Sequence, residues 1–350
     1  MKAPIYGIFR GRGLTAVIKT PICWLGKCYP FLNFYIYCRK RMTGIIVKST
    51  GSRYIVKTGE MVRECVMKGK IRLEGRRTTN PVAVGDIVDY DIEGSEAVIR
   101  KIHPRKNYII RKSINLSKQA HIIASNLDQA VIIVTLVAPR TSLGFIDRFL
   151  VTAEAYRIPA LLVFNKTDLL DKEGIEMQNA IMELYSQIGY PCYAVSSFNT
   201  DEVRCMRQLF ENKISLVAGH SGVGKSTFIN ALEPGLNIKT GEISQAHAKG
   251  MHTTTFAELH PLSFGGSIID SPGIKELGLV EMKKEEVGHY FPEIRKRMNE
   301  CRFNNCLHIN EPKCAVIEAV ERGEISAERY RSYLGILQGE EMDWKEWEVR

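Results

Sequence analysis

The sequence predicts three domains in series: an OB-type β-barrel, an α/β domain on a mostly parallel sheet, and a C-terminal helical domain with a cysteine–histidine cluster. Three observations carry this. Short β-like runs split by glycines fill residues 42–107 with no helical period. Strand and helix patterns then alternate through residues 108–284. The last segment, 285–350, reads as helices around three cysteines and one histidine spaced over fourteen residues, Cys301 to Cys314.

Ahead of the barrel lie residues 1–41, whose stretch PICWLGKCYPFLNFYIYCRKR is apolar but broken by Lys27, two prolines and Asn33. A membrane span needs about twenty apolar residues without such breaks, and a signal peptide needs a small-residue cleavage site where CRKR stands. A leader or disordered extension is expected there, with Met42 as the physiological start; a targeting segment is the alternative. The mean hydropathy of −0.13 describes a soluble chain. Nine cysteines, an odd number without a paired pattern, suit a reducing compartment and so a cytoplasmic protein. With no long heptad in view, a monomer is expected.

The barrel comes from GIIVKS, RYIVKTG, MVRECVMKG, VAVGDIVDYDIE and EAVIRKI, five short strands with turn signals between them. The net charge of +9 is uneven: residues 1–42 carry eight basic and no acidic residues, residues 43–112 carry a net +7, and the remainder is near −6. Lys48, Arg53, Lys57, Arg63, Lys68, Lys70, Arg72, Arg76 and Arg77 decorate the predicted strands and turns, which favours nucleic-acid contact over a merely solvated surface.

In the middle domain QAVIIVTLV, ALLVFNKTD, CYAVSS, KISLVAGHSGVGKST and SIID read as strands. GFIDRFLVTAEAYR and EMQNAIMELYSQIG read as the helices between them. GHSGVGKS fits the phosphate-loop pattern, with an apolar strand before it and the helix KSTFINAL after it. Gly219, His220, Ser221, Gly222, Val223 and Gly224 would turn backbone N–H groups toward phosphate, Lys225 would neutralise its charge, and Ser226, followed by Thr227, would ligate Mg²⁺. DSPG supplies Asp270 on the Mg²⁺ side and Gly273 facing the γ-phosphate. GMHTTT lies where the first switch belongs, so one of Thr253, Thr254 and Thr255 should reach Mg²⁺.

NKTD supplies base choice. Asp168 can accept two hydrogen bonds from guanine N1–H and its exocyclic amine, and against adenine that carboxylate would stand unpaired. Asn165, Lys166 and Thr167 would brace the loop, and Ser196 and Ser197 of VSS would form a second base-contacting loop. Ile274 stands where many GTPases keep the glutamine that orients water, so His252 is the candidate for positioning water, with a structural loop histidine as the alternative. Cys301, Cys306, His308 and Cys314 match a closed tetrahedral zinc site, against reduced bystander cysteines. Arg295, Lys296, Arg297 and Arg302 beside it suit RNA contact or a solvated helix face equally.

The guanine loop here precedes the phosphate loop, the reverse of the common order. Cutting a standard GTPase between its third and fourth motifs and joining the old ends gives this succession, and a pocket depends on where loops converge, not on chain order. With NKTD, GHSGVGKST, HTTT, DSPG and CRFNNCLHINEPKCAV in this succession, the chain resembles the circularly permuted, ribosome-small-subunit-dependent GTPase A family of bacteria, from about Met42 to Glu340. That resemblance implies an OB domain, a circularly permuted P-loop GTPase domain and a zinc-binding domain in that order. It also implies GTP hydrolysis stimulated by the 30S subunit, contact with 16S rRNA late in assembly alongside other assembly factors, and a catalytic role at His252. Met251 departs from the basic residue that relatives often have there. A nucleotide-gated RNA-binding scaffold with incidental hydrolysis is the alternative; an ATP-using enzyme is disfavoured by NKTD.

Overall fold

The computed structural model describes residues 6–11, 14–19, 41–68, 81–112, 120–238, 257–270 and 282–339. Within the expected leader, β1 (Tyr6–Gly11) and β2 (Leu14–Lys19) pair as an antiparallel hairpin that joins no other sheet among the described residues.

Five strands form the barrel: β3 (Met42–Ser49), β4 (Arg53–Thr58), β5 (Met61–Met67), β6 (Ile87–Glu93) and β7 (Glu96–Ile102). The ladder runs β3-β4-β5-β7-β6 and closes by β6 pairing back on β3, with β5 and β7 parallel. This is the strand order of an OB barrel. Closure makes β3 serve two neighbours, β6 over Met42–Ile45 and β4 over Ile45–Ser49. Gly44 stands at that corner, where a Cβ would lie 2.6 Å from a Val56 methyl and 2.7 Å from the Lys57 carbonyl. Ile46, Tyr54, Val56, Val88, Tyr90 and Ile99 fill the interior.

A hairpin of β8 (Tyr108–Lys112) and β9 (Ala120–Ser125) leads to the central sheet. Buried Asp86 fixes that passage, accepting from Arg105 Nε, the Ala83 amide and Ser125 Oγ. The central sheet comprises β10 (Gln129–Val134), β11 (Ala160–Phe164), β12 (Cys192–Ala194), β13 (Ile214–Ala218), β14 (Glu258–Pro261) and β15 (Ser267–Asp270), ordered β12-β11-β10-β13-β15-β14. All its pairings are parallel except β14 with β15.

Side chains alternate across this sheet as strand geometry requires. Ile132, Val134 and Leu216 pack under α1 (Leu143–Ala155) and α2 (Lys172–Ile188). Val131, Ile133 and Val217 pack against α3 (Thr200–Cys205), α4 (Arg207–Phe210) and α5 (Lys225–Leu232). The sheet is therefore covered on both faces, the reason its strands read as unbroken apolar runs.

Two junctions tie the domains together. β14 pairs with β3 at Glu258 and Lys48, whose side chains also form a 2.8 Å ion pair, and Ile45 and Val47 pack onto the central core while Ile46 points into the barrel. At the other end, Val151 of α1 enters the core of the C-terminal domain. That domain contains α6 (Lys284–Val287), α7 (Pro292–Arg297), α8 (Ala315–Glu321) and α9 (Ala327–Gln338).

Candidate nucleotide site and metal centre

β11 delivers the NKTD loop at the carboxyl edge of the sheet, flanked by the loops that follow β10 and β12. Asn165 is 3% exposed and bonded on every side. Its Nδ2 donates to the Val223 carbonyl at 2.7 Å, and its Oδ1 accepts from Ser197 N at 3.0 Å and Ser197 Oγ at 2.8 Å. A carbonyl on one side and an N–H on the other fix the amide's orientation. One carboxamide thereby joins the loops after β11, β12 and β13. Gly224 makes the contact possible: its φ is +92°, and a Cβ would sit 2.4 Å from Asn165 Nδ2.

Lys166 takes the left-handed conformation, and its Nζ donates to the Ala138 carbonyl at 2.5 Å, so its stem leans toward the loop after β10. Asp168 Oδ1 accepts from Ser196 Oγ at 2.5 Å, while Ser196 N donates to Glu202 Oε2 at 2.9 Å. The NKTD and VSS loops thus meet at the residues the sequence singled out for base reading.

The phosphate loop spans Gly219 to Gly224, with Val223 buried in the core and Ser221 and Gly222 exposed. Lys225 begins α5, and its Nζ donates to the carbonyls of Gly219 (2.9 Å) and His220 (2.7 Å), which holds the ammonium over the loop. Ser226 and Thr227 follow in the first turn, where helix N–H groups lack intrahelical partners and attract anions. His220 stacks on Phe145 of α1, ring centroids 3.8 Å apart. Asp270 ends β15 in register with Val217, two residues before the phosphate loop. His252, Thr253, Thr254, Thr255 and Gly273 lie outside the described residues.

Residues 102–280 match the family model described as RsgA GTPase, and residues 43–99 match that of the RsgA N-terminal domain. The chain belongs to the RsgA GTPase family. It is a GTP hydrolase. It is 53% identical over 310 residues to the small ribosomal subunit biogenesis GTPase RsgA of Flavobacterium psychrophilum, covering 87% of this chain and 95% of that one. The RsgA of Bacteroides fragilis is 53% identical over 304 residues, with 86% and 97% covered. Among solved structures, YjeQ from Thermotoga maritima aligns with a TM-score of 0.71 at 33% identity, covering 85% of this chain and 98% of that one. YloQ, described as a circularly permuted GTPase, aligns at 0.67 and 32% identity, covering 85% and 94%. Permutation explains why β10 to β12 precede the phosphate-loop strand β13 yet lie beside it in one sheet.

The C-terminal domain of this RsgA-family chain gathers Cys301, Cys306, His308 and Cys314, whose donor atoms all lie within 4.8 Å of one another. His308 Nδ1 faces the thiols, 3.3 Å from Cys314 Sγ and 3.5 Å from Cys301 Sγ. Three sulfurs and one nitrogen at this spacing could hold a metal ion. Burial pushes the Cys306 thiol up to about 12, raises Cys314 and lowers His308, so this pocket disfavours charge until a cation enters it. Glu311 shapes the knuckle by accepting from the amides of Leu307, Ile309 and Asn310. Burial alone would raise the Glu311 carboxyl, but those amides outweigh it and hold it low. Tyr330 and Tyr333 donate to the carbonyls of His308 and Leu307 from α9.

Several basic residues are committed internally. Lys48 pairs with Glu258, Arg53 with Glu64, Lys68 with Glu96, Arg295 with Glu154 and Arg297 with Glu324. Lys57 and Arg63 have no ion-pair partner among the described residues, while Lys70, Arg72, Arg76 and Arg77 lie outside them. Sequence reasoning missed Glu202 and Phe145, which support the VSS loop and His220. Glu202 had a local signal, six residues beyond Ser196 at the start of a helix; Phe145 had none.

Proposed function

We propose that this chain binds the 30S small ribosomal subunit through 16S rRNA, hydrolyses GTP to GDP and phosphate under its stimulation, and acts in the subunit's late maturation. The observation that carries the nucleotide half is the Asn165 carboxamide, which links a base-reading loop to a phosphate loop at 2.7 Å. The ribosomal half is supported by the naming of its relatives as small ribosomal subunit biogenesis GTPases.

In this reading Asp168 selects guanine and Asn165, Lys166, Thr167, Ser196 and Ser197 frame the base. Gly219 to Thr227 hold the phosphates, and Gly273 faces the terminal one. Ser226, Asp270 and one of Thr253 to Thr255 serve Mg²⁺, which would neutralise β- and γ-oxygen charge. His252 positions the attacking water. Cys301, Cys306, His308 and Cys314 hold one structural Zn²⁺, and the barrel supplies backbone contacts to rRNA. The protein acts as a cytoplasmic monomer alongside other assembly factors.

GTP turnover with and without purified 30S subunits tests this directly. A large stimulation is expected, and equal rates would overturn the stimulated mechanism. The alternative, a nucleotide-gated scaffold, rests on Ile274 in place of a glutamine. It would be favoured by nucleotide-dependent co-sedimentation with 30S without accelerated single-turnover hydrolysis.

A further inference from the structure

Phe198 is 77% exposed, the largest value among the large hydrophobic residues the structure describes, and its ring makes no aromatic or cation contact among the described residues. A solvent-facing phenyl ring is common enough singly; this one stands out by position. It directly follows Ser196 and Ser197, and its backbone N–H donates to Ser196 Oγ at 3.3 Å. That hydroxyl in turn donates to Asp168 Oδ1 at 2.5 Å. Ser197 is locked to Asn165 on both its N–H and its hydroxyl. The ring thus hangs from a rigid backbone, two hydrogen bonds from the carboxylate that reads the base.

Sheet order gives it a side. β11, which carries Asp168 at its end, lies between β10 and β12. The Lys166 stem leans toward β10, where its Nζ meets the Ala138 carbonyl. Phe198 follows β12, on the opposite flank. A planar base set edge-on against Asp168 has one wall on the β10 side and needs a second on the β12 side.

We propose that Phe198 is a base-stacking residue: its ring covers the face of guanine that the Lys166 stem leaves open, adding affinity that is independent of the hydrogen-bond reading by Asp168. This rests on the site assignment above. Stacking is indifferent to exocyclic groups, because every base has a π-face. Asp168 supplies selectivity, and Phe198 supplies grip.

The test uses the full chain with GDP, inosine diphosphate (which lacks the exocyclic amine) and ADP. Phe198→Ala should weaken GDP and inosine diphosphate by a common factor of about tenfold, leaving their ratio unchanged. Phe198→Trp should keep affinity, and its fluorescence, taken as the difference from the parent chain, should be quenched by GDP. An unchanged GDP affinity in Phe198→Ala, a change in the GDP to inosine diphosphate ratio, or a Trp signal indifferent to GDP would each overturn the proposal. Unchanged GDP binding with weakened 30S binding would also overturn it and assign the ring to RNA. Asp168→Asn, run alongside, separates the two levels. If it loses guanine preference while Phe198→Ala behaves as parent, only the stacking claim fails; if it keeps that preference, the base site itself is misassigned.

Discussion

Arg329 of α9 and Asp147 of α1, 182 residues apart, form a 2.7 Å ion pair in which each side chain is 1% exposed. Glu293 of α7 takes the other side of the guanidinium, and Tyr185 of α2 donates to the same Asp147 oxygen. Burial alone would lower the Arg329 pKa, but the charges of Asp147 and Glu293 outweigh it and keep the group protonated. The first effect on Tyr185 is also burial, reinforced by Asp147, and its phenol is pushed far up so that it stays a donor. The C-terminal domain thereby meets the GTPase domain across a buried charge cluster.

Removing one partner strands the other in a dry interior. Arg329→Met should cost about 3–5 kcal/mol, read from the urea midpoint. Pairing it with Asp147→Leu should recover part of that loss, because it removes the more deeply buried of the two carboxylates that Arg329→Met strands, while Glu293 and the Tyr185 hydroxyl still lack a partner. A double variant no more stable than the single would show that the charges themselves hold the domains together.

Asn165→Ala deletes three hydrogen bonds that converge from two neighbouring loops. Left unpaired, the Val223 carbonyl and the Ser197 groups should cost about 1–3 kcal/mol in stability. Loss of loop registration should weaken GDP by a comparable factor, about tenfold or more. Titration calorimetry and thermal unfolding measure the two effects separately.

One zinc per chain should be found by elemental analysis, and Cys314→Ala or His308→Ala should lose it. Tyr330 and Tyr333 touch the carbonyls of His308 and Leu307, so chelation should also change the near-ultraviolet circular dichroism of the domain. A metal-free sample with an unchanged spectrum and melting temperature would refute a structural role for the ion.

Acid should loosen the barrel through Asp89. Burial alone would raise its carboxyl, but hydrogen bonds from His103 and Thr43 prevail and hold it below its ordinary value of 3.8. A depressed carboxyl contributes stability that is complete above about 3.8 and fades as pH falls through its lower folded value. Asp89→Asn should flatten the stability profile in that acid range, read from urea unfolding at a series of acid pH values.

Motifs whose chemistry is local were legible in the sequence. GHSGVGKS, NKTD and the Cys301–Cys314 cluster are spaced by the needs of one ion or one nucleotide, and the strands around them are buried on both faces and read as apolar runs. The reversed motif order was legible too, because loops can meet in space whatever their succession. Partnerships over long chain distances were not. Nothing near Lys48 says that Glu258 neutralises it, so it reads as one more basic residue set out for nucleic acid. Arg329 lies in a stretch, AERYRSYL, where a buried arginine and an exposed one give the same helical pattern. Phe198 was silent in the same way: nothing about an aromatic after VSS says that its ring stands in solvent.

β3 belongs to two interiors at once, offering Ile46 to the barrel and Ile45 with Val47 to the central domain. Excising the first domain as if it were a bead on a string would therefore skin its neighbour. A fragment starting after residue 107 would bare the outer edge of β14 and greasy surface beside it, both open to adhesion between copies. Dissection of this molecule at its apparent seams should yield sticky halves, and its working unit is barrel and nucleotide domain inherited together.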